Sequence, residues 1–184
     1  MNVLVLVGSL RAGSTNRQLA DAAVAHLPEG TSATVFEQLA DLPHYSEELD
    51  HDDALPQVAR DLREAVADHD ALLLVTPEYN GSMPSALKNA VDWASRPRGA
   101  AVVATKPAAV LGASGSPRAA QWAREDGVKV LTVAGADVLD DTVGVGSAFQ
   151  AFEEGRLSDA DLDLALRDLV RALAEKVEQA RTAA

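Results

Sequence analysis

Unbroken apolar runs alternate with helical patterns along the chain. Val3 to Val7 are all apolar and run straight into Gly8, so Asn2–Val7 reads as a strand. Thr15–Leu27 follows as a helix, with Leu19, Ala23 and Leu27 on one face. Thr31–Glu37 is a second strand, set off by Pro28 and Gly30. Ala54–Asp68 has the clearest one-face spacing, through Leu55, Val58, Ala59, Leu62 and Val66. Asp70–Thr76 is a third strand around the core Ala71–Val75, and Pro84–Ala94 a helix with Pro84 near its first position. Pro107–Ala113 is a fourth strand, Pro117–Ala134 a helix and Ala136–Val145 a fifth strand. Ser158–Arg181 closes the chain as a long helix with a stripe from Leu162 to Val177, Ser158 and Asp161 resembling a capping box.

The first, third and fourth strands lack apolar–polar alternation. Such strands are buried on both faces, which implies a parallel sheet covered by helices on each side. The expected fold is therefore α/β: a doubly wound five-stranded parallel sheet with helices on both faces, in a single domain over residues 1–184.

Composition narrows the function. The formal net charge of −12 repels a phosphodiester backbone, so nucleic acid is not an expected partner. With no cysteine, disulfides, thiolate metal sites and a Cys nucleophile are excluded. No apolar stretch approaches the ~20 residues that span a bilayer, and the N-terminal run has neither basic residues before it nor a cleavage site after it. A cytoplasmic protein without a membrane partner is the expectation.

In doubly wound sheets ligands bind beyond the carboxyl ends of the strands. Three loops lie there. Gly8–Arg17 offers backbone N–H groups, hydroxyls and a cation beside a helix start, a setting that stabilises phosphate. It comes near the P-loop pattern, but Ser14 stands where the lysine would be; G-x-G-x-x-G fails because Leu10 follows Ser9. What remains suits one terminal phosphate. A plain strand–helix turn with Thr15 and Gln18 as a capping box explains those two residues but leaves Ser9, Arg11 and Ser14 unexplained. The second loop, Thr76–Pro84, sets Tyr79 among polar and turn-forming residues; it suits a flat heterocycle, or is simply a turn shaped by Pro77, Asn80 and Gly81. The third, Gly112–Arg118, has small residues that let a ligand approach the backbone.

The segments GSLRAGSTNR, PEYNGSMPSALKNAVDW and GASGS, with EEGRLSD before the last helix, together resemble the NADPH-dependent FMN reductases of flavodoxin-like fold, a group that includes chromate, quinone and azo-dye reductases. The resemblance covers nearly the whole chain and implies a flavodoxin-like five-stranded sheet of order 2-1-3-4-5. It implies that Ser9, Arg11, Ser14, Thr15 and Asn16 hold the FMN phosphate, that Pro77, Glu78, Tyr79, Asn80 and Gly81 line the isoalloxazine, and that Ser114 and Gly115 touch the flavin or ribityl edge. It implies NADPH or NADH as co-substrate and a small-molecule electron acceptor: a quinone, an azo compound, chromate or free flavin. It also implies a homodimer or homotetramer, with Trp93 and Arg96–Arg98 as candidate edges of the contact. The chain departs from the resemblance in two places: Gly81 stands where relatives often carry an aromatic, and the third loop lacks a double glycine. The rival class is a non-enzymatic flavodoxin-like electron carrier or an FMN-binding sensor.

The remaining polar features carry no chemistry. His26, His44, His51 and His69 lack ligand spacing, so no metal site is expected. Asp159–Asp163 suits a first helical turn. Trp93 and Trp122 read as core or interface, and no side chain is assigned as a general acid or base because the cofactor carries the chemistry.

Overall fold

The apolar runs pair into one parallel sheet. In the computed structural model, which describes residues 1–183, β1 (Asn2–Val7), β2 (Ser32–Val35), β3 (Ala71–Thr76), β4 (Pro107–Ala113) and β5 (Asp137–Val145) lie in the order β2-β1-β3-β4-β5. The order reverses at β1/β3, where Val7 pairs with Val75.

The pleat divides each central strand between two cores. Val3, Val5 and Val7 face α1 (Thr15–Ala25) and α5 (Ala160–Ala183), whereas Leu4 and Leu6 face α2 (Gln57–Asp68) and α3 (Ser85–Ala94). β3 and β4 divide likewise: Leu73 and Leu111 point to the first core, Leu74 and Val110 to the second. α4 (Gln121–Val133) completes the second face. This two-sided burial is why β1, β3 and β4 carry apolar residues at successive positions.

Element ends differ from the sequence expectation for local reasons. α1 is capped by Ser14, whose hydroxyl oxygen accepts from Asn16 N–H, and not by a Thr15–Gln18 box. Pro84 is the N-cap of α3. α4 starts at Gln121, not Pro117, because Ala119 and Ala120 have φ of 55° and 54° and cannot extend a right-handed helix backwards. Asp159, not Ser158, caps α5, accepting from the N–H groups of Asp161 and Leu162. Phe152–Glu153 and Arg156–Leu157 form a small hairpin, β6 and β7, ahead of α5.

Trp93 is fully buried, and its indole N–H donates to Pro43 O at 2.8 Å. It therefore cannot edge a contact between subunits. Asn89 works beside it: its Oδ1 accepts from Tyr45 N–H at 2.9 Å, and its Nδ2 donates to Pro43 O at 2.9 Å. Arg63 pairs with Asp50 at 2.7 Å in the same cluster. The Lys88–Trp93 part of the motif thus pins the long connection between β2 and α2 onto α3.

Candidate active site at the carboxyl edge of the sheet

The three predicted loops do converge, since β1, β3 and β4 are neighbours and parallel. Gly8 N–H donates to Val75 O at 2.8 Å, continuing the ladder one residue past β1. The chain then leaves the sheet. Among the described residues, no backbone N–H from Ser9 to Thr15 donates to a protein acceptor. Such a run of free donors at the positive end of α1 is an anion cradle. Ser14 is 2% exposed, and with its oxygen occupied by Asn16 N–H its hydroxyl proton is free to donate. The two arginines of the loop differ. Arg17 is spent on Glu37 at 2.8 Å and Asp21 at 3.3 Å, whereas Arg11 is exposed and forms no ion pair among the described residues.

Asn16 is committed elsewhere. Its Nδ2 donates to Ala113 O and its Oδ1 accepts from Ala113 N–H, each at 2.9 Å and both buried. Asn16, expected among the phosphate-holding residues, uses its side chain to tie the first loop to the end of β4.

The second loop is a two-residue hairpin. Tyr79 and Ser82 exchange N–H···O bonds of 3.0 and 3.2 Å, and Asn80 and Gly81 have φ of 52° and 77°. This is a type I′ turn, for which Asn-Gly is the preferred pair. It leaves Tyr79 53% exposed and the N–H groups of Asn80 and Gly81 without backbone partners. Pro77 is buried at the end of β3.

Two side chains fasten this hairpin to α4. The Glu78 carboxylate accepts from Ala123 N–H at 3.3 Å; Ala120, the residue at the cap position, offers no side-chain oxygen, so Glu78 caps the helix from outside. Ser82 Oγ donates to Asp126. Lys129 first, then Ser82, hold the Asp126 carboxyl below the usual carboxylate range. The folded value is depressed, so this contribution is complete above the unfolded value of ~3.9 and is lost as pH falls through the folded one. The melting temperatures of the parent and Asp126→Asn are therefore expected to differ most near pH 6 and to converge below about pH 4. A gap that stays constant on acidification would show that the carboxylate charge contributes nothing.

The third loop is knitted internally. Ser114 Oγ accepts from Ala120 N–H at 3.1 Å and donates to Ser116 O at 3.2 Å. Arg124, whose pKa is lowered by burial, donates to Ala119 O at 3.0 Å and to Thr142, bracing the two left-handed alanines. Gly115 lies under the ring of Phe149, which is itself 76% exposed. The side chains of Glu78 and Ser114, like that of Asn16, are thus engaged by the protein rather than presented to a ligand.

Two aromatics at this edge escaped the sequence reading. Phe149 follows β5, and the rule that led to the other loops, a search beyond strand ends, points there too. Trp122 stands against Gly81, where a Cβ would come within 3.2 Å of its ring. The place left by the absent aromatic at position 81 is thus filled from α4. Nothing in the local pattern separates this tryptophan from a core residue.

Residues 1–150 match the NADPH-dependent FMN reductase family. An NAD(P)H-dependent FMN reductase of Pseudomonas aeruginosa is 38% identical over 165 residues, 86% of this chain and 85% of that one. A 2-hydroxy-1,4-benzoquinone reductase of a Burkholderia species is 49% identical over 114 residues, 62% of this chain, so that the match spans only 61% of that relative's length. Among solved structures, the flavoenzyme NAD(P)H:(acceptor) oxidoreductase FerB from Paracoccus denitrificans superposes with a TM-score of 0.84 at 31% identity, covering 97% of each chain. With its cradle of free N–H groups at the β1/β3 reversal and a match over residues 1–150, the chain belongs to the NADPH-dependent FMN reductase family.

Proposed function

We propose that the protein is an FMN-dependent NAD(P)H oxidoreductase that reduces quinones, with azo compounds, chromate and free flavin as further candidate acceptors. The observation that carries this is the run of unpartnered N–H groups from Ser9 to Thr15 beside Arg11, which fits one terminal phosphate. The names of the relatives support the quinone class. FMN, when bound, supplies two-electron hydride chemistry between the nicotinamide and the acceptor. The chain supplies position. Ser9, Arg11, Ser14 and Thr15 would hold the phosphate, together with the main chain of Asn16. Pro77, Tyr79, Asn80 and Gly81 would line the ring, with the free backbone N–H groups of Asn80 and Gly81 as donors, joined by the main-chain atoms of Glu78, Ser114 and Gly115.

The purified protein is expected to take up one FMN per chain and to prefer it to FAD. Arg11→Ala is expected to weaken FMN about tenfold to a hundredfold, the value of a charge-assisted hydrogen bond of ~1.5–3 kcal/mol, without lowering the melting temperature of the flavin-free chain. Because one opening serves both substrates in turn, double-reciprocal plots at several quinone concentrations should be parallel. FMN uptake without NAD(P)H oxidation would favour the electron carrier instead.

The same proposal includes a cytoplasmic location and a homodimer or homotetramer. A cleft of about 910 Å³ lies on the outer side of α3 and α4. Lys88, Arg96 and Lys129 line it together with Glu47 and Asp92, and Val133 of α4 is exposed there. Charges of both signs around an apolar floor suit a two-fold contact between copies. Light scattering at micromolar concentration should give at least twice the 19.3 kDa chain mass; a monomer would refute it.

A further inference from the structure

Besides Arg11, the loops of the site carry a second cation that pairs with no carboxylate among the described residues. Arg118 sits on the third loop, its backbone N–H accepted by Ser116 Oγ at 3.2 Å. Its guanidinium lies 4.4 Å from the centroid of the Trp122 ring. The indole in turn lies against Gly81 at the tip of the second loop. Trp122 is therefore in contact with both Gly81 and Arg118 and bridges the second and third loops. Trp122 is 48% exposed, and Arg118 is exposed.

The neighbouring charges are all engaged. Arg124 turns inward to Ala119 O and Thr142, Lys129 pairs with Asp126 at 2.7 Å, and Glu78 caps α4. The Arg118 guanidinium, by contrast, donates to no protein acceptor and meets no carboxylate among the described residues. On a chain of net charge −12, a free guanidinium held over an aromatic ring is a place where a planar anion gains both attraction and stacking. The third exposed aromatic of this edge, Phe149, covers Gly115 three residues before Arg118.

We propose that Arg118, oriented by Trp122, is a specificity-determining residue that selects negatively charged planar acceptors, such as ionised hydroxyquinones, over neutral quinones of the same size. This rests on the acceptor being a quinone, as proposed above.

A matched pair of acceptors tests it: 2-hydroxy-1,4-naphthoquinone, ionised at neutral pH, and neutral 1,4-naphthoquinone. For the FMN-loaded protein, Arg118→Gln is expected to lower kcat/KM for the hydroxyquinone about threefold to fivefold, as for an exposed charge pair, and to leave the neutral quinone within about twofold. Arg118→Glu should lower it further. Added salt should erode the preference in the parent but not in Arg118→Gln. Binding to the oxidised protein without NAD(P)H, followed by quenching of tryptophan fluorescence, should weaken for the hydroxyquinone alone. An unchanged ratio of the two acceptors overturns the proposal. So does an equal fall for both, or a raised KM for NADPH with the ratio intact, which would assign Arg118 to the nicotinamide. Should the parent reduce neither quinone, the quinone reductase proposal falls first and this one with it; should it reduce both without the Arg118 effect, only this one falls.

Discussion

Asn16→Leu is expected to melt about 4–24 °C below the parent and to lose FMN binding. Leucine matches the branching and the number of heavy atoms but offers nothing to Ala113, whose N–H and C=O both bond to the Asn16 amide. Each buried group left without a partner costs about 1–3 kcal/mol, or about 2–6 kcal/mol together, and in a chain of this length each kcal/mol moves the melting temperature by about 2–4 °C. The functional loss has the same origin. This amide joins the phosphate loop to the end of β4 across 97 residues of sequence, and without it the first and third loops are no longer held in one geometry. Calorimetry of the flavin-free chain and an FMN titration measure the two effects separately. A variant that melts and binds like the parent would mean that the Asn16–Ala113 pair holds nothing in place.

Gly8→Ala should be nearly as damaging, although it adds a single methyl group. An ideal Cβ at Gly8 would lie 2.5 Å from Leu87 Cδ1, 2.8 Å from Leu87 Cγ and 2.8 Å from Pro84 Cγ. None of these can retreat. Leu87 is fully buried, and Pro84 is buried with a rigid ring at the start of α3. Relief would require β1 and α3 to part, which would break the Gly8 N–H bond to Val75 and separate the first loop from the second. Overpacking of this kind costs about 1–3 kcal/mol, a fall of about 2–12 °C in melting temperature, and FMN affinity should fall with it. Coupled Gly8→Ala with Leu87→Ala should recover part of the FMN affinity while remaining less stable than the parent, because the contact is relieved and a cavity is left. No recovery in the double variant would locate the damage elsewhere.

The sequence by itself determined the layered architecture and the place of the site. Runs such as Val3–Val7 and Ala71–Val75 have no polar face to turn to water, so only a sheet covered on both sides accommodates them. That burial in turn requires parallel strands with helical crossovers, and it sends the polar loops after Val7, Val75 and Ala113 to a common edge. The turn at Asn80-Gly81 was legible, though not its hairpin bonds: few pairs other than Asn-Gly accept two left-handed residues in succession. The start of α4 was not legible, because Ala119 and Ala120 favour a right-handed helix and are held left-handed by bonds from Ser114 and Arg124. The division of labour within the site was decided only by tertiary structure. A polar side chain in a loop looks the same in sequence whether it will meet a ligand or a distant backbone group. Asn16 finds Ala113, Glu78 finds the first turn of α4, and Trp93 turns into the core, whereas Trp122 remains at the surface over Gly81 with Arg118 upon it. Those partners lie many residues away along the chain. Which of them a side chain reaches depends on how the helices dock on the sheet, and no local pattern of apolar and polar positions carries that information.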